Sequence, residues 1–177
     1  MHNKLRWPIF ALEFEGLGKS LIFYMMKADI LKSAAEQYAE DNGLFVVSIE
    51  ISKDNDIDIT IDADSRDITL EDCEGMTGYI LERVSRDEED YSLTIGSAGL
   101  TSPFKVLRQW RKAVGSEIQL TRKSGERVRA TLLEAGEDGV EISYQKKGEG
   151  KGAKAKETVT EHLGYEDIKS AKPIIKF

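Results

Sequence analysis

Residues 91 to 115 read Tyr91-Ser-Leu-Thr-Ile-Gly-Ser-Ala-Gly-Leu-Thr-Ser-Pro-Phe-Lys-Val-Leu-Arg-Gln-Trp-Arg-Lys-Ala-Val-Gly115. Tyr91, Leu93 and Ile95 alternate with polar residues, the period of a strand with one wet face. Gly96, Gly99 and Pro103 then interrupt the pattern, and a basic aromatic segment follows. The charge of the chain changes sign here. Met25 to Leu100 carries 6 Lys+Arg against 19 Asp+Glu, a balance of −13. Thr101 to Phe177 carries 16 against 11, a balance of +5. The first 24 residues carry 3 against 2, which completes the net charge of −7. Two stretches of opposite sign joined at a Gly/Pro turn predict two modules: an acidic one over residues 26–100 and a basic one over 101–177, with Gly96, Gly99 and Pro103 as the hinge.

Upstream of that stretch the pattern predicts helix, strand, strand, helix, strand. Ile30, Leu31, Ala34 and Tyr38 recur at helical spacing over Ala28 to Asn42, with Gly43 at the C-terminal cap and Asp29 suited to the positive end of the helix dipole. Leu44 to Ile51 is a strand with Phe45, Val47, Ile49 and Ile51 on one face. Lys53 to Asp56 is a turn. Ile57, Ile59 and Ile61 then alternate with Asp58, Thr60 and Asp62. Thr69-Leu-Glu-Asp72 is a capping box with Asp in place of Glu, opening a helix whose buried stripe is Leu70, Cys73, Met76, Ile80 and Val84. Arg86 to Asp90 is a solvated turn. The first module is therefore expected as an α+β, two-layer αββαβ fold.

Downstream, Phe104 to Val114 reads as a short helix or an extended connector. Strands follow at Ser116 to Thr121, Arg127 to Ala135, Val140 to Gln145, Glu157 to Glu161 and Ile168 to Phe177. The turn at Gly136 to Gly139 closes a hairpin. Lys146 to Lys156 is a Gly/Lys-rich loop. Five short strands in so short a span predict a small SH3-like or Sm-like β-barrel.

Residues 1–25 read differently. Trp7, Phe10, Phe14, Phe23 and Tyr24 follow no clean period, and Glu13, Glu15 and Lys19 interrupt any signal-peptide core. These residues are expected to be a non-native or disordered leader ahead of Met25-Met26. No apolar run reaches the ~18 residues needed to span a bilayer. Cys73 is the single cysteine, which excludes an internal disulfide and fits a reducing compartment.

Few residues carry enzyme chemistry. Asp54 to Asp58 begins like a calcium loop, but Ile59 stands where its glycine is due and Ser65 where its glutamate is due. Asp62 and Asp64 could bind a divalent cation, though nothing in the sequence converges on them. Cys73 sits on an apolar helix stripe, the setting of a structural thiol. His162 stands alone, and no phosphate loop or dinucleotide fingerprint is present. Gly96-Ser-Ala-Gly99 has the GxxG form of a KH clamp, but it follows a strand and reads as a turn needing positive φ. The positive signal is electrostatic. From Thr101 to Arg129 the count is 8 basic to 2 acidic, and the cations are Lys105, Arg108, Arg111, Lys112, Arg122, Lys123, Arg127 and Arg129. Arg pairs bidentately with phosphate or carboxylate, and Trp110 either offers a stacking face or is buried between the modules.

Asp62 and Thr69-Leu-Glu-Asp-Cys-Glu74 resemble the strand end and helix opening of the ribosome maturation factor family RimP. That family's Tyr-x-Leu-Glu-Val strand is represented by Tyr91 to Ile95. Its Ser-Ser-Pro-Gly-Leu-Asp-Arg-Pro-Leu linker is represented by Gly96 to Phe104. Ser97, Gly99, Leu100 and Pro103 match there, whereas Ala98, Thr101 and Ser102 depart and remove the family's Asp-Arg pair. Tyr165 to Ala171 is similar to the entry of the family's last strand. The resemblance implies an α+β domain followed by an SH3-like barrel, a cytoplasmic location and no catalysis or cofactor. It also implies, as partner, the immature small (30S) ribosomal subunit, through rRNA or a ribosomal protein, with no membrane and a monomeric state. The eight cations are the ribosome-binding candidates under that resemblance. The competing readings are a stand-alone RNA-binding module of KH or Sm type and a metal-dependent enzyme using Asp62 and Asp64.

Overall fold

A computed structural model describes residues 18–52, 54–84, 91–147 and 156–175. The leader ahead of residue 18, the Arg86 to Asp90 turn and most of the Lys146 to Lys156 loop lie outside the described residues. The elements run α1 (Gly18–Asp41), β1 (Leu44–Ile51), β2 (Asp56–Ala63), α2 (Leu70–Leu81), β3 (Ser92–Ser97), α3 (Leu107–Lys112), β4 (Glu117–Arg122), β5 (Arg127–Ala135), β6 (Gly139–Lys147), β7 (Lys156–Gly164), a one-turn 3-10 helix (Tyr165–Asp167) and β8 (Ile168–Pro173). The fold is α+β with two separate sheets.

The first sheet has the order β1-β2-β3, β2 pairing antiparallel with β1 and parallel with β3 across α2. Leu44, Ile57, Ile59, Ile61 and Ala63 form a core with Leu31, Ala34, Ala35 and Ala39 of α1 and Met76 and Ile80 of α2. Helix α1 begins ten residues before the expected Ala28, so Asp29 lies in its interior and not at its positive end. Gly43 does close it, at φ 68°, where a Cβ would be strained. The capping box of α2 forms as read: Thr69 Oγ1 accepts from the Asp72 amide at 3.3 Å, and the Asp72 carboxylate accepts from the Thr69 amide at 2.9 Å. Arg66 pairs with the same carboxylate and holds it well below the usual range. Leu70 differs from expectation and is exposed, at the first residue of α2.

Strand β1 also departs from simple alternation. A register shift between Val46 and Ser48 inserts one residue. Leu44, Val46, Ile49 and Ile51 therefore pack against the helices, while Phe45 and Val47 are buried outside that core. A β-bulge reverses which alternate residues face inward.

Gly75 lets α1 and α2 approach. An added Cβ would run into the Tyr38 hydroxyl, with the Tyr38 Cζ 3.1 Å away. Alanine is favoured over glycine in a helix by about 1 kcal/mol, but the collision opposes it. Gly75→Ala is expected to lower stability by about 1–2 kcal/mol in urea denaturation. In a Tyr38→Phe background the same substitution should become neutral or stabilising. Equal costs in both backgrounds would show that the hydroxyl is not the obstacle.

The second sheet has the order β7-β6-β5-β4-β8, antiparallel throughout. It is not a closed barrel: β7 and β8 are its two edges. It is nevertheless curled, since Arg122 at the end of β4 reaches Glu161 on β7, three places away in the sheet. Ile118, Leu120, Val128, Ala130, Leu132, Val140, Ile142, Leu163 and Ala171 line the inside of the curl around Trp110. Among the described residues no helix is long and apolar enough to cross a membrane.

Candidate functional site

The basic segment after Pro103 folds as the short helix α3, the first of the two forms open to it. Two backbone amides ahead of the helix, of Lys105 and Val106, donate to Gln109 Oε1 at 2.8 and 3.4 Å. Gln109 is the one buried polar side chain among the described residues, and the sequence pattern did not single it out. Leu107 and Trp110, three residues apart, face the second core. Trp110 packs on Phe104 and Tyr165, with ring centroids 4.9 and 5.7 Å apart. Its ring is therefore neither an exposed stacking platform nor a filling between the two halves.

Arg108 and Lys112, four residues apart, share another face of α3 and meet the outer side of the first sheet. Lys112 Nζ donates to Asp62 Oδ1 at 2.7 Å. Arg108 presents Nε and Nη2 to the two carboxylate oxygens of Asp64, and its guanidinium lies 4.5 Å from the Phe45 ring centroid. Lys105, in the linker, donates to Glu50 Oε1 at 2.7 Å and to Ser48 Oγ at 3.2 Å. The Lys105 ammonium lowers the pKa of Glu50, and the Arg108 guanidinium lowers that of Asp64. Three of the eight candidate cations are thus engaged by carboxylates of the other half. Asp62 and Asp64 are neutralised by these cations, and among the described residues no group of His, Cys, Asp or Glu is arranged to hold a metal ion.

The remaining candidates divide in two. Arg111, on the far side of α3, pairs with Glu137 at 2.8 Å. Arg122 grips Glu161 through both terminal nitrogens, at 3.0 and 2.7 Å, and Tyr144 donates to the same carboxylate at 3.0 Å. These bonds lower the pKa of Glu161 and raise that of Arg122, while burial and the neighbouring carboxylate push the Tyr144 phenol up. Arg122 is a structural clasp. Lys123, Arg127 and Arg129 are exposed and carry no ion pair among the described residues. Arg127 and Arg129 alternate with buried Val128 and Ala130 on β5, which sends both to the outer face of the sheet. There they line an open groove of about 820 Å³ with Thr131, Ser143 and Gln145, and with Glu117 and Glu126 at its side.

Of the expected hinge, Gly96 lies inside β3, and Gly99 forms a turn in which its carbonyl accepts from the Ser102 amide at 2.8 Å. Neither glycine takes positive φ, contrary to the expected turn geometry. The thiol of Cys73 is half-buried and its pKa is raised by that burial. His162 is exposed on β7.

The sequence pattern missed the acidic partners of the seam. Glu50 lay on a strand read for its apolar face, and Asp62 and Asp64 were weighed only as metal ligands. The signal that could have found them is the opposite sign of the alternating acids of β2 and the cations of α3. Glu161 gave no such signal, because its pairing with Arg122 depends on the curl of the sheet.

No family model matches the chain. Individual relatives do. The chain is 33% identical over 158 residues to a ribosome maturation factor RimP of Christiangramia forsetii, covering 86% of this chain and 100% of the relative. It is 32% identical over 150 residues to the protein of that name from Flavobacterium psychrophilum, covering 83% and 96%. For the protein of that name from Porphyromonas gingivalis the identity is 29% over 153 residues, covering 85% and 100%. Identity at this level over nearly the whole of each relative, with the capped helix α2, the interrupted linker and the two sheets in the expected order, leads to one conclusion: the chain belongs to the ribosome maturation factor RimP family.

Proposed function

We propose that this protein is a non-enzymatic assembly factor that binds the immature small (30S) ribosomal subunit and promotes its maturation. It acts in the cytoplasm as a monomer, with residues 26–100 and 101–177 as two modules, the second built on the curled five-stranded sheet. Gly96, Gly99 and Pro103 form the hinge between them. Its relatives are named ribosome maturation factors, which supports the assembly role.

The observation that carries the docking face is that Lys123, Arg127 and Arg129 are the candidate cations left exposed and unpaired among the described residues. Arginines beside a groove with Thr131, Ser143 and Gln145 suit phosphate oxygens and backbone acceptors on a ribonucleoprotein surface. The acidic half repels phosphate and favours one docking orientation.

The test is reversal of all three cations to glutamate. Co-sedimentation with immature small subunits at low salt is expected to fall at least about tenfold, and the salt dependence of binding to flatten by roughly two units of slope. Unchanged co-sedimentation by a folded variant would remove this face from the docking site.

A further inference from the structure

We propose that the seam between the two halves is a self-masking contact. In it Glu50, Asp62 and Asp64 occupy a second RNA-binding surface, formed by Lys105, Arg108 and Lys112, that becomes available when the seam opens. The inference rests on the partner being an RNA-rich particle, as proposed above, but concerns a different set of cations.

Four observations carry it. The three cations stand close together in the chain, and each is held by an acid more than forty residues away, from the other half. The seam is bridged by these ion pairs, with Phe45 buried beneath Arg108, and the two halves share no apolar core. One core draws its residues from Leu31 to Ile95 and the other from Phe104 to Ala171, and no residue belongs to both. The central pair is open to water, with Arg108 48% and Asp64 54% exposed, so a competing anion can reach it and salt screens it. The fourth is the geometry of Arg108. Two of its nitrogens face the two oxygens of one carboxylate, the fork that serves a phosphate equally well. The Phe45 ring beneath it would be uncovered by opening.

An RNA strand fits this surface better than an acidic peptide. The two lysines act as point charges that ask only for repeated anions. A nucleic-acid backbone supplies one at every nucleotide, together with bases that can stack on an uncovered aromatic ring.

The test uses the full-length protein and a labelled single-stranded RNA oligonucleotide. The seam variant carries Glu50→Gln, Asp62→Asn and Asp64→Asn. A control of equal net charge carries Glu40→Gln, Asp54→Asn and Glu74→Gln, all exposed and away from the seam contacts. The seam variant is expected to bind RNA at least about tenfold more tightly than the control, with a salt slope steeper by roughly two. Adding Lys105→Gln, Arg108→Gln and Lys112→Gln should abolish the gain. Equal affinity of the seam variant and the control would overturn the proposal, as would a gain that survives loss of the three cations. Competition by polyglutamate as effective as that by unlabelled RNA would overturn the choice of RNA. Circular dichroism of each variant confirms its fold. Reversal of Lys123, Arg127 and Arg129 changes seam variant and control alike, so the ratio between them tests the seam whether or not the docking-face reading holds.

Discussion

Trp110→Ala is expected to destabilise the five-stranded half by about 3–5 kcal/mol, the cost of deleting a large buried aromatic side chain. The ring is buried against Phe104 and Tyr165 at tilted and edge-on angles of 52° and 64°, arrangements that add to simple burial. It is the main side chain through which α3 is fixed to the curl of the second sheet. Its loss therefore does more than leave a cavity. Arg108 and Lys112 ride on the same short helix, so their pairs with Asp64 and Asp62 should loosen as well. The measurement is urea denaturation followed by circular dichroism, together with Trp110→Phe. The phenylalanine variant should recover most of the loss, since a smaller aromatic still fills much of the space. A loss under about 1 kcal/mol for the alanine variant would mean that α3 is held by its backbone and ion pairs instead.

Glu161→Ala is expected to cost about 2 kcal/mol. Breaking a fully buried charge pair costs about 3–5 kcal/mol. With Arg122 17% and Glu161 32% exposed, water screens part of that. The substitution leaves Arg122 with only Glu126, whose carboxylate lies 3.1 Å from Nε but off the line of its N–H, so that no hydrogen bond forms. Tyr144 loses its acceptor at the same time. The effect should depend on pH in a defined sense. The folded-state pKa of Glu161 is lowered, chiefly by its hydrogen bonds from Arg122. Its contribution is therefore fully present above the unfolded value near 4.5 and is lost as pH falls through the lowered one. Wild type and variant should differ by a constant amount from about pH 6 to 8 and converge in acid. A difference independent of pH down to pH 3 would mean that the loss comes from packing and not from the charge.

The chain announces its elements well. Ile57, Ile59 and Ile61 with their aspartates in between, the Thr69 cap and the breaks at Gly136 and Gly139 are local signals. Each element forms because hydrophobic period and hydrogen bonding act over a few residues. The misses also have local causes. The bulge at Val47 reversed the faces of β1 and moved Phe45 out of the core, and a one-residue insertion leaves no mark in composition. Helix α1 runs back to Gly18 through residues without a clean apolar stripe. The extra turns show that helix continuation needs only tolerant residues, whereas its recognition needs a period.

The candidate site divides along the same line. That Thr101 to Arg129 is basic and the preceding half acidic is a count of residues. Which cations remain free is decided by pairing between residues distant in the chain. Lys105, Arg108 and Lys112 are engaged because the linker lays α3 against the outer face of the first sheet, where Glu50, Asp62 and Asp64 stand. Arg122 is engaged because the second sheet curls until β4 reaches β7. Lys123, Arg127 and Arg129 remain open because alternation on β5 turns the two arginines away from the core and, although Glu117 and Glu126 line the same groove, none of the three cations makes an ion pair among the described residues. By itself the sequence determined the element order, the charge division and the family. Only the tertiary structure separated clasp, seam and open face, because charges interact through space at distances that sequence separation does not encode.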